Sequence, residues 1–373
     1  MSGFFPPSAR CPDPSCRPPV PSDRAGRLEV AGLSQGRKGK LYTTMLTLLT
    51  GALLFPLLSG CALSPRDPPP LELPMVVQDG VTLAAFDLSG AGRPEIEDLL
   101  DKLASLYDSR PVEARLDPVT HGVIPELRGR RLLREANVLA ALSAPSGAAL
   151  SPLFEEIVPD KTMAMFPEAP VYQANPARRE VSFCINVAWG EENLPSLLDL
   201  LEEQRVEVTF FLQGSWIKKN PALARQLAAS RHELANHTLT HPHLNQLSEA
   251  AIRQELQATE ALLSSLGGRT VPYFAPPYGE FNPVVLKAAS SLRLRTVLWT
   301  VDTVDWKRPG PEVIVRRVLD RLTGGAIILM HPTEQTGQAM GIMIPALRQH
   351  GYRIVHLSRL LSPYPLDPKE ASP

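Results

Sequence analysis

From Arg178 onward the chain alternates short apolar runs with longer amphipathic ones. Glu180–Ile185, Val206–Leu212, His232–Ala235, Pro272–Ala275, Arg295–Thr300, Ala326–Met330 and Tyr352–His356 have the length and composition of strands. Between them Leu194–Gln204, Pro221–Ala229, Glu249–Leu266, Pro283–Leu292, Pro311–Leu322 and Gln338–His350 carry apolar residues at helical spacing. Regular strand–helix alternation predicts parallel strands, and so many units favour an incomplete barrel over an open sheet. The site of such a barrel lies at the C-terminal ends of its strands. Asn186, His237, Pro276, Asp302 and His331 each stand at or just past a predicted strand end.

Upstream, residues 75–157 read as a small α+β module. Val81–Phe86 is the expected first strand, Arg93–Tyr107 a helix with Pro94 in its first turn, Val112–Leu116 a strand and Arg130–Leu142 a second helix. Asp117–Pro125 reads as a turn, with His121 expected to pack or cap rather than bind a ligand. Residues 158–176 would link this module to the barrel, 177–364.

The first seventy-odd positions follow another pattern. Arg37-Lys38-Gly39-Lys40 precedes an apolar run, Leu41 to Leu58, that closes on Leu58-Ser59-Gly60-Cys61. This resembles a bacterial lipoprotein signal peptide over 37–61, with Cys61 the lipidated residue. A plain transmembrane anchor fits less well, because the run is short and contains Pro56. Residues 62–74 would be a Pro-rich tether, placing the folded part on the extracytoplasmic face of a bacterial cell membrane. Residues 1–36 fit no signal peptide and read as a disordered extension or a misassigned start, and 365–373 as a disordered tail.

Charge changes little: 38 basic against 39 acidic residues offer no basic face for nucleic acid. Cys11 and Cys16 have no matching ligands for a zinc ribbon, and four cysteines at these spacings suggest no disulfide framework.

The candidate chemistry starts at Asn236-His237-Thr238-Leu239-Thr240-His241. Two histidines four apart present both rings to one point if the backbone turns helically, which suits a zinc-like ion. His331 closes the run Ala326–Met330, where a parallel strand delivers a catalytic side chain. Three unrelated histidines would give the same spacing.

Several ordered motifs carry more weight than one. Val208-Thr209-Phe210-Phe211-Leu212, His-Thr-Leu-Thr-His, Phe274-Ala275-Pro276-Pro277-Tyr278-Gly279, Trp299 to Trp306 and Ile328-Leu329-Met330-His331-Pro332 follow one another in the chain. Residues 172–362 thereby resemble the NodB-homology polysaccharide deacetylases, carbohydrate esterase family 4, and within them the sporulation-associated branch. The resemblance implies a distorted (β/α)7-type barrel, a zinc-like divalent metal and N-acetylated cell-wall glycan as substrate. It implies that His237 and His241 are metal ligands, that His331 is the general acid and that Asp305 orients it. Pro277, Tyr278, Gly279 and Trp306 then belong to the substrate groove.

The first motif departs from the family's Thr-Phe-Asp-Asp-Gly. Here Cys184-Ile185-Asn186-Val187-Ala188-Trp189-Gly190 puts Asn186 at the base position and Val187 at the metal carboxylate. Ala275 replaces the arginine that positions the base. An amide cannot take a proton from water near neutral pH. Two expectations follow: a membrane-tethered deacetylase weakened at its base, or a catalytically silent glycan-binding module of the envelope.

Overall fold

The computed structural model describes residues 73–364. All eight residues of the strand Glu180–Val187 are buried, as a central strand covered on both faces requires. It is the first of a curled parallel sheet. Thr209–Leu212, Glu233–Asn236 and Arg269–Phe274 follow on one side, and Ile327–Met330 pairs on the other. Arg353–Ile354 adds a short parallel pairing at the start of the first strand. The α/β fold and the parallel barrel-like sheet agree with the sequence expectation.

Arg295–Thr300, expected as one strand, is the seam. Arg295–Thr296 pairs with the Arg269–Phe274 strand, and Val301–Asp302 pairs with Ile327–Met330 on the opposite edge. The segment changes partners midway: Val297 donates to the Phe274 carbonyl and Thr300 to that of Ile327. Residues 171–174 reach into this switch. Leu298 N–H donates to the Val171 carbonyl, Thr300 Oγ1 to that of Tyr172, and Ala174 N–H to that of Gly325. The 158–176 stretch therefore ends as part of the barrel wall.

Helices cover the sheet through one apolar cluster that includes Phe183, Val187, Leu212, Trp216 and Met340. The barrel interior holds another, with Cys184, Phe211, Ala235, Ala275 and Ile327. The final long helix begins at Glu334, a turn earlier than its apolar pattern suggests, because Thr333 Oγ1 caps it by accepting from Thr336 N–H at 3.0 Å. At the strand starts, Glu180 is buried against Arg178 (3.1 Å) and Glu233 against His356 (2.8 Å). That end is closed by paired charges, so the chemistry belongs to the other rim.

Two upstream expectations need correction. Val81–Phe86 is no single strand: Ala84 and Ala85 take φ of 51° and 70°, turning Thr82–Leu83 back onto Phe86–Asp87. Arg130–Leu142 does not begin as helix either. Gly129–Leu132 pairs antiparallel with Phe154–Ile157, and the helix starts at Arg134. The expected Arg93–Tyr107 helix is present over those same residues. Among the described residues no helix is long and apolar enough to cross a membrane. Cys61, the apolar run before it, the 1–36 extension and residues 365–373 lie outside the described residues.

Candidate active site

The third strand ends at Asn236, and His237 N–H still donates to the Leu212 carbonyl of the neighbouring strand. Beyond it the chain makes an irregular turn, correcting the helical one expected. Thr238 and His241 adopt φ of 63° and 61°, a conformation non-glycine residues hold only when their surroundings fix it. The fixings are visible. Asn236 Oδ1 accepts from Thr238 N–H at 2.8 Å, and Thr238 Oγ1 accepts from His241 N–H at 3.1 Å. Glu255 accepts from the N–H groups of Leu239 and Thr240 at 2.9 and 2.8 Å.

This turn sets the His237 and His241 rings 5.0 Å apart at 72°. His237 Nδ1 lies 2.8 Å from the Ala275 carbonyl oxygen. Since a carbonyl only accepts, Nδ1 carries the hydrogen and Nε2 keeps its lone pair. Burial pushes the His237 pKa down to about 3, with His241 contributing, and burial pushes His241 down to about 4. Both rings are neutral near pH 7, and His331 also contributes to lowering each of them. The three imidazoles therefore share one rim.

His331 is held from behind. Its Nδ1 sits 2.8 Å from Asp305 Oδ1, and its backbone N–H donates to Oδ2 at 2.7 Å. Thr336 Oγ1 also donates to Oδ2 at 2.7 Å, and Asp305 is fully buried. With Nδ1–H committed to the carboxylate, Nε2 is the nitrogen left for chemistry. Thr336 went unnoticed in the sequence, and Trp189, quoted there only as part of the first motif, stacks its ring parallel to His331 at 5.7 Å.

The base side is different. Asn186 is buried, and its Oδ1 finds no hydrogen-bond partner among the described residues. Val187 is fully buried and belongs to the apolar layer under the helices. Ala275, also buried, lies in the barrel-interior cluster. No charged side chain occupies any of these three positions.

Around the rim Tyr278, Trp306 and Trp189 are 57, 49 and 42 % exposed. Tyr278 has φ 60° and takes the His241 ring edge-on at 4.7 Å. It stacks on His243 at 4.3 Å, whose Nδ1 is 2.9 Å from Glu280 Oε2. His243 and Glu280 were not singled out in the sequence. A histidine two residues past the pair, beside a carboxylate two past the tyrosine, was the available cue.

A family profile described as polysaccharide deacetylase matches residues 173–297. The uncharacterised protein YlxY of Bacillus subtilis is 34% identical over 268 residues, 72% of this chain and 83% of that protein. The chain belongs to the polysaccharide deacetylase family. Solved relatives of this deacetylase-family chain include BA3943 of Bacillus anthracis, described as a CE4 family pseudoenzyme. It is 36% identical, has a TM-score of 0.64, and the match covers 73% of this chain and 96% of that one. A BA3943 mutant described as having restored enzymatic activity matches at 34% identity and TM-score 0.64, over 72% of this chain and 99% of that one. A peptidoglycan-N-acetylglucosamine deacetylase of Bacillus cereus is 36% identical over 185 residues, 48% of this chain and 67% of that protein.

The family's divalent metal can be tested against the residues present. Two neutral imidazoles remain, but neither Asn186 nor Val187 supplies an anionic oxygen. Among the described residues no group of three or more His, Cys, Asp or Glu is placed to hold an ion. A hydrolytic zinc site has three protein ligands and an open position. The donor set does not fit that requirement.

Proposed function

We propose that this protein is a glycan-binding member of the polysaccharide deacetylase family whose removal of N-acetyl groups from cell-wall glycan is slow or lost. We further propose that Cys61 tethers it to the outer face of a bacterial cell membrane, with residues 62–74 as spacer, and that it serves a sporulation-linked wall process. One observation carries the reading of the site: Asn186, at the base position, is buried with an unpartnered Oδ1. An amide cannot accept the proton of an attacking water, and a positioned general base is worth roughly 10²–10⁴ in rate.

In this reading Pro277, Tyr278, Gly279 and Trp306 form the groove, and Trp189 adds an exposed ring beside His331. Exposed aromatic faces suit the apolar face of a sugar ring. Relatives named chitooligosaccharide deacetylase, from Bradyrhizobium and Sinorhizobium, and the Bacillus cereus peptidoglycan deacetylase support an N-acetylated glycan as ligand. His237 and His241 are the remnant of the metal site, and His331 with Asp305 the retained acid pair. A second reading, residual slow hydrolysis, would draw on that pair as its proton donor.

The test is to incubate the full chain with chitooligosaccharides and with peptidoglycan, with and without zinc, measuring bound glycan, bound metal and released acetate. Glycan should bind, zinc should remain well below one equivalent, and acetate release should trail an active relative by at least about a hundredfold. Acetate release at the relative's rate would refute the assignment of Asn186. Absence of glycan binding would refute the groove.

A further inference from the structure

Where the small module meets the barrel seam, a cavity of about 160 Å³ opens between the Asp117–Gly122 turn and Tyr172, Gln173, Trp299 and Thr300. Drug-sized ligands occupy about 300–1,000 Å³, so this space suits a single small ring. Two aromatic rings line it, and each is seated by a glycine. A Cβ on Gly122 would come within 2.6 Å of the Tyr172 ring, and one on Gly279 within 2.8 Å of the Trp299 ring. Neither aromatic could keep its place against a larger residue.

The polar lining is equally defined. Val119 N–H, Thr120 N–H and Thr120 Oγ1 all donate to Asp117 Oδ1, at 3.1, 2.8 and 3.0 Å. None of these three bonds uses Oδ2, and a carboxylate oxygen accepts from hydroxyl donors. Aromatic faces beside a carboxylate that can accept from hydroxyls match a pyranose, which has an apolar face and a polar edge. Trp299 supplies continuity: its ring abuts Gly279, the residue after the exposed Tyr278 of the groove.

We infer that this cavity is a second sugar subsite, built jointly by the small module and the barrel, for one ring of the N-acetylated glycan whose neighbouring units cross Tyr278. The inference rests on the groove reading above. It gives the Asp117-Pro118-Val119-Thr120-His121-Gly122 turn a role in ligand recognition.

The experiment is titration of the full chain with chitin oligosaccharides of increasing length. Asp117→Asn is the cleanest variant, because the amide oxygen can still accept the turn's three bonds; Trp299→Leu removes the ring. Affinity should rise on the order of tenfold, equivalent to about 1.4 kcal/mol, once an oligomer reaches from groove to cavity. Each cavity variant should erase that gain while binding the shortest oligomer normally. Tyr278→Ala should weaken every length. If the cavity variants bind all lengths as the parent does, the subsite is overturned and the groove stands. If Tyr278→Ala and Trp306→Ala bind normally while the cavity variants do not, the groove reading fails and the cavity binds sugar alone, which overturns its role as a second subsite of that groove. If no oligomer binds at all, both fall.

Discussion

Asn186→Asp restores the family's carboxyl at a buried position where the present Oδ1 has no hydrogen-bond partner among the described residues. The side chain would replace a buried amide, beside a fully buried Val187 and within reach of no positive charge from Ala275. His237 and His241, with pKa values pushed down to about 3 and 4, are neutral near pH 7 and offer no counter-charge. Burial without a partner raises a carboxyl pKa by up to 3–5 units. Taking about 3 units at 1.36 kcal/mol each gives roughly 4 kcal/mol.

The sign follows from where the unfolded chain loses its proton. Unfolded aspartic acid ionises near pH 3.9, whereas the buried one stays protonated to about pH 7. The variant therefore resembles its parent below about pH 4 and loses stability as pH rises towards its folded pKa. Urea unfolding of parent and variant at pH 4 and pH 7.5 measures the difference directly. Within a typical stability of about 5–15 kcal/mol, a loss of roughly 4 is large but compatible with folding. Adding Ala275→Arg should return much of it by pairing the new carboxylate. An unchanged difference between the two pH values would refute the reasoning, because it would mean that position 186 is solvated or already partnered.

The histidines act in the opposite direction, and acid should destabilise the parent: His232, His237 and His241 are all pushed down by burial, to about 4, 3 and 4. The unfolded chain binds those protons from about pH 6.5 downward, so stability should fall between pH 6.5 and 4, with a shallower slope in His237→Gln. Gly190→Ala should cost about 2–5 kcal/mol in denaturant unfolding, since Gly190 has φ 84° and its Cβ would run into the Pro332 carbonyl; an unchanged midpoint would contradict the close approach of the two loops. Cys61→Ser should release the protein from membranes in fractionated cells or leave an unprocessed precursor, and normal processing with retained membrane association would exclude lipidation.

The barrel was legible because its strands are short, mostly apolar runs and its helices are amphipathic, so period separates them. The seam was not. Arg295–Asp302 is one extended stretch in composition, and only the neighbours decide that it serves two edges. Gly129–Leu132 was misread because its arginines also fit a helix; what makes it a strand is its pairing with Phe154–Ile157, where Arg131 meets Glu155 and Arg130 lies over the Phe154 ring. At Ala84 and Ala85 the residue types give no hint of left-handed backbone. In the site, the histidines could be read from motif order, whereas Trp189 on His331 depends on how a loop returns over the rim. The outward burial of Val187 was also hidden, since a valine at a strand end can face either layer.

The unequal fate of the two halves of the site has a structural cause. Asp305 accepts from the His331 backbone N–H, the His331 ring and Thr336 Oγ1, tying the end of the Ile327–Met330 strand to the following helix and to the 303–307 turn. Removing a buried carboxylate with such partners would leave several donors unsatisfied, each at about 1–3 kcal/mol. The acid pair is therefore held in place whether or not it transfers protons, and its retention says little about turnover. Asn186 is the opposite case. Its Oδ1 accepts no hydrogen bond among the described residues, so no partner of that oxygen ties it into the fold, and only chemistry could have kept a carboxylate there. Once the base is an amide, an arginine at position 275 would be a buried charge without a partner, which disfavours its retention. Val187, packed in the helix-side layer, removes the last anionic oxygen while filling apolar space. What survives is the part of the site that the barrel itself needs, together with an exposed aromatic rim that the barrel does not.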